Sequence, residues 1–180
     1  MGVPGSPRDV HLTVTVNSAA PGDFTIEPDP IGSLPVGPNG ELIFRNDGHS
    51  GFFVYFNLKD PNKLGYKFPP DHKISDAIWS ELGAGACPTK GVWDVFAPRK
   101  ILNGDLTLKA RNPNVLPELG PFGYTLRVTK DGGKTYLALD PGGVNQNGSI
   151  GTKGFGAAAA LIAGAVAGAL AVLGVQALLS

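Results

Sequence analysis

The chain has 180 residues, with 15 lysines and arginines against 15 aspartates and glutamates, so its formal net charge is zero. That balance argues against a dedicated nucleic-acid binder, which carries a basic excess. A single cysteine, Cys87, permits no internal disulfide and fits a reducing compartment, while 26 glycines and 16 prolines suit short strands joined by turns better than helices.

The run MGVPGSPRDVHLTVTV lacks the basic start and the unbroken apolar stretch of a secretory signal, so none is expected. Strand periodicity begins within it: Leu12, Val14 and Val16 point one way, and His11, Thr13 and Thr15 the other. After the Pro21–Gly22 turn come a short strand, FTIEP, and a proline- and glycine-rich loop over residues 28–40. ELIFRN, an Asp47–Gly48 turn and GFFVYFNL follow. In the last of these, Phe53 and Tyr55 share a face opposite Phe52, Val54 and Phe56. Two apolar faces on one strand predict that one is covered, by a partner or by residues 73–82.

That later segment, KISDAIWSEL, sets Ile74, Ala77, Ile78 and Leu82 at helical spacing, which predicts a short helix. GVWDVFA, DLTLKA, FGYTLRV and KTYLALD read as further strands, the last two joined by a hairpin turn at Lys130-Asp131-Gly132-Gly133. About eight strands with regular turns predict a mainly β domain over residues 1–140, an antiparallel Greek-key β-sandwich. Residues 141–153, with the sequence PGGVNQNGSIGTK, read as a flexible linker.

From Gly154 to Ser180 there is no ionisable side chain. As a helix, this stretch spans about 40 Å at about 1.5 Å per residue, enough for a hydrocarbon core about 30 Å thick. A single carboxy-terminal transmembrane helix is expected, with modest hydrophobic drive because alanine and glycine dominate. The alternative is a central helix buried among sister subunits of a larger membrane or virion assembly. Gly156, Ala160, Gly164 and Gly168 recur every fourth position and so form one small-residue stripe for helix packing. Lys130, Lys134 and Lys153 precede the segment and no basic residue follows it, which predicts a cytoplasmic amino-terminal domain. The arrangement resembles a tail anchor.

Phe44 and Asn46 in the strand ELIFRN, followed by His49, resemble the corresponding run of a cupredoxin-like domain. The resemblance, to that family or to an immunoglobulin-like sandwich, extends in expected strand order over residues 10–140. The resemblance implies His49 as the first ligand of a copper site, with a cysteine, a second histidine and often a methionine later in the chain. Cys87, however, is followed by PTKGVWDVF, without histidine or methionine, and Met1 is the one methionine. The ligand spacing of a blue-copper site is therefore absent, and no metal or other cofactor is expected. His49, His72 and Cys87 form the alternative, noncanonical copper set of an electron-transfer or copper-carrying protein.

No catalytic constellation is expected either. Asp47-Gly48-His49-Ser50 combines an acid, a base and a hydroxyl, but neighbours in a tight turn seldom aim at one another. Gly132-Gly133-Lys134-Thr135 matches the end of a phosphate loop, yet Val128 stands where the motif needs glycine. The sequence thus predicts a non-catalytic binding or structural module. Its expected partners are the lipid bilayer and, through the helix, further copies or other membrane proteins.

Overall fold

The computed structural model describes residues 5–20, 22–37, 41–46, 48–83, 88–114, 120–140 and 142–147. Cys87, the whole segment 154–180 and its stripe Gly156, Ala160, Gly164 and Gly168 lie outside the described residues. Among the described residues, no helix is long and apolar enough to cross a membrane.

The first strands are β1 (Arg8–Val16), β2 (Phe24–Asp29), β3 (Leu42–Asn46) and β4 (Phe52–Lys59). A 3₁₀ turn, Asp71–Asp76, then leads into β5 (Ile78–Leu82). The remainder are β6 (Ala97–Leu102), β7 (Thr107–Asn112), β8 (Gly120–Val128), β9 (Leu137–Leu139) and β10 (Gly142–Asn147). They form two sheets, one in the order β2-β1-β4-β7-β6 and one in the order β3-β10-β8-β5, with β9 also on β8.

The two sheets are held together by the inward half of each alternating strand. Val10, Leu12, Val14 and Val16 of β1 meet Phe52, Val54 and Phe56 of β4 in a common buried core. Rings dominate its centre: Phe96 lies 5.2 Å from Tyr124, 5.4 Å from Phe122 and 5.7 Å from Phe56, each edge to face. That geometry sets the positive ring edge against the negative face and adds to the area buried. Gly51, at φ 96, precedes β4 where no side chain fits, since a Cβ would meet the Pro113 and Asn112 carbonyl oxygens and the Arg111 guanidinium.

Four expectations are corrected. The sheets are mixed, because β1 runs parallel to β4 and β3 parallel to β10. Apolar alternation sets which face is buried but carries no information on strand direction. Of residues 73–82, only 73–76 are helical, as the end of the 3₁₀ turn Asp71–Asp76; the chain then extends, and Ile78 and Ser80 point inward as β5 pairs with β8. GVWDVFA is not a ladder strand, because the Ser80 hydroxyl accepts the Val95 and Phe96 N–H groups at 3.1 and 2.7 Å; β6 begins only at Ala97. Finally, residues 142–147, expected within the linker, form β10 between β3 and β8. Leu139 faces Leu126 and Gly142 faces Gly123, so β9 and β10 continue one register along β8.

Candidate functional site

The outward face of the first sheet concentrates the polar and charged groups. Strand register sets Asp29, His11, Tyr55, Lys109 and Lys100 side by side in one row across β2, β1, β4, β7 and β6. The imidazole of His11 stacks on Tyr55 at 4.5 Å, with the rings 10° from parallel. The Lys109 ammonium sits 4.1 Å from the Phe53 ring centre and 5.0 Å from that of Tyr55. A cation over a ring face is attracted by the ring quadrupole, and the lysine stem covers apolar surface beneath it. Phe53 and Tyr55, expected to be covered by a partner or by residues 73–82, are thus half-buried under His11, Lys109 and Arg111 of their own sheet.

Charge is divided across this face. Asp9, Glu27 and Asp29 lie on β1 and β2, while Lys59, Lys100 and the bulged Arg99 lie exposed on β4 and β6. Arg111, in the next row, reaches back over the sheet end, donating from Nη1 to the Phe52 and Asn112 carbonyls at 3.0 and 2.8 Å and from Nη2 to the Ser50 carbonyl. It fastens the start of β4, whereas Lys109 and Lys100 remain at the surface.

The second sheet carries a clamp on its outer face. The Arg127 guanidinium lies between Trp79 and Tyr136, at 4.0 and 3.8 Å from their ring centres, and 3.9 Å from the Asp76 carboxylate. The Tyr136 hydroxyl donates to Asp76 Oδ2 at 3.0 Å, and burial followed by that carboxylate pushes its pKa up to about 12. Beside it, the turn after β8 closes around Asp131. The Thr135 N–H and hydroxyl, the Thr129 hydroxyl and the Lys134 N–H hold its carboxyl well below the usual carboxylate range. The Gly132-Gly133-Lys134-Thr135 run therefore turns its Lys134 and Thr135 N–H donors on the protein's own carboxylate. These contacts explain the geometry of the β8–β9 hairpin and need no ligand.

The histidines are kept apart. His49 precedes β4 and bridges Gly5, while His72 lies exposed in the 3₁₀ turn, whose Asp71 accepts the Ile101 N–H at 3.0 Å. Ile101 is in register with Leu108 and Phe56, whereas His49 lies beyond Phe52 at the other end of β4. Four strand residues, about 13 Å, thus separate the row that Asp71 contacts from the start of β4 near His49. Among the described residues, no three His, Cys, Asp or Glu side chains gather as a metal-binding group.

His11 is visible in the sequence only as a strand residue, and Lys100, Lys109 and Arg127 carry no motif. The signal that unites them is strand register, which needs the pairing itself. No protein-family model matches the chain, and no curated protein matches it.

Proposed function

We propose that the chain is a membrane-anchored β-sandwich of cupredoxin-like form, without copper, that acts as a non-catalytic binding or structural module. Residues 154–180 hold it in the bilayer as a single pass, with the sandwich on the cytoplasmic side. Gly156, Ala160, Gly164 and Gly168 dock the helix against a neighbour in a membrane-associated assembly.

The observation that carries this reading is the distribution of charge: all 30 formally charged side chains, 15 basic and 15 acidic, precede Gly154, and none follows. A helix without charge over that length is unfavourable in water and favourable in hydrocarbon. The mainly β two-sheet domain ahead of it supports the module half of the reading, because its outward sheet face carries grouped charge and half-buried rings instead of a uniform solvated surface. Membrane fractionation of the full chain beside one ending at Gly151 tests the proposal. The full chain is expected to sediment with membranes and resist alkaline extraction, and the shortened one to stay in the supernatant. If both remain in the supernatant as monomers, the anchor is wrong.

A further inference from the structure

We infer that the outward face of the first sheet binds a second copy of this chain, through a two-fold axis running along β4. The order of charge across the sheet points to this arrangement. β4 is the central strand of β2-β1-β4-β7-β6, and its row reads Asp29, His11, Tyr55, Lys109, Lys100 from edge to edge. The acid end and the base end lie two strands from the centre on opposite sides. None of Asp29, Glu27, Lys100 or Lys109 has an ion-pair partner among the described residues.

Face-to-face packing of two identical sheets requires a two-fold axis lying in the interface. An axis across the strands sets β2 on β2 and β6 on β6, which opposes like charges. An axis along the strands sets β2 on the second copy's β6 and brings Tyr55 over Tyr55, leaving Lys59 over Lys59 near the strand end as the like-charge contact on the axis. Each copy's Asp29 then meets the other's Lys100, twice by symmetry. Such an isologous contact satisfies both edges at once, and like-charge opposition suppresses the competing arrangement. Aligned sheets pack about 30° apart because of their twist, so the central pair is the closest and the edges close by long side chains. Lysine and aspartate at the edges with rings at the centre match that shape.

The size is also adequate. Five strands about 4.8 Å apart, each contributing about six residues at about 3.3 Å, offer about 480 Å² in projection per copy. The two copies together reach about 1,000 Å², the lower limit of a specific interface.

The test uses the full chain in mild detergent at low ionic strength, mixed from two isotope-labelled batches and treated with a carbodiimide, which joins only a carboxylate and an amine already in contact. The expected product is a peptide pair linking Asp29 of one batch to Lys100 of the other. D29K and K100E should each weaken self-association about tenfold, since each creates two like-charge contacts. Mixing the two variants should restore it, with links only between unlike chains. In that mixed pair the two substituted positions face each other with opposite charge, and so do the unchanged Asp29 and Lys100. Absence of the wild-type link, or failure of the mixture to recover, overturns the inference. Neither substitution touches residues 154–180, so that failure leaves the membrane reading standing, and failed membrane binding leaves this one.

Discussion

Single residues in this domain do their work by meeting backbone groups that the sheets leave over. Ser80 is fully buried on β5, and its hydroxyl accepts two N–H groups, from Val95 and Phe96, while its own backbone bonds Val92 and Asp94. The chain from 92 to 96 is thereby laid against β5 and delivers Phe96 into the ring cluster. Ser80→Ala leaves both donors buried without a partner, which costs about 1–3 kcal/mol each at most, and about 2–3 kcal/mol together if water reaches one of them. Urea denaturation should show the midpoint lowered with an unchanged slope. A variant as stable as wild type would show that the hydroxyl is dispensable. This contact also marks a limit of sequence reading. VWDVF has strand composition, yet one serine oxygen in another segment takes the N–H groups that a ladder would have used.

Elements with apolar alternation are legible in the sequence, and those defined by their neighbours are not. β1 and β4 declare themselves because Leu12, Val14 and Val16, and Phe52, Val54 and Phe56, repeat at period two and are buried without exception. β6 is hidden by Pro98 and two adjacent cations, although Ile101 near its end is buried. β10, with the sequence GGVNQN, has one apolar side chain and depleted strand propensity; its conformation comes from β3 on one side and β8 on the other. That placement makes a strong demand on residues whose composition is that of a linker. A chain ending at Asp140 keeps β9 but loses the strand that joins β3 to the rest of its sheet, leaving one row of backbone groups unpaired along β3 and another along β8 from Gly120 to Gly123. It should lack cooperative thermal unfolding, whereas a chain ending at Gly151 should unfold in one transition. Equal melting curves for the two would mean that β10 is dispensable. The candidate face is illegible for the same reason: Asp29 and Lys100 are 71 positions apart in sequence, and only the five-strand register relates them.

At the scale of the whole molecule, the two proposals make one joint prediction. An interface near the lower size limit, with exposed ion pairs at its edges, is weak for free domains because such pairs are screened and their side chains lose freedom. Confinement to a bilayer changes the concentration term without adding a contact, since copies that share a surface meet far more often than copies free in solution. Coupling between Asp29 and Lys100 should therefore be strong for the full chain reconstituted in vesicles and should decline as lipid is added at constant protein, because the copies are diluted in the membrane. The chain ending at Gly151, at the same bulk concentration, should couple at least about tenfold less. Raising the salt from low to physiological should reduce both, as expected for charges lying within about one Debye length. Equal coupling with and without residues 154–180 would show that the tail does nothing for assembly. Coupling that ignores lipid dilution would instead mean that the helices are already bound to each other, so that the stripe from Gly156 to Gly168, and not the bilayer surface, brings the two sheets together.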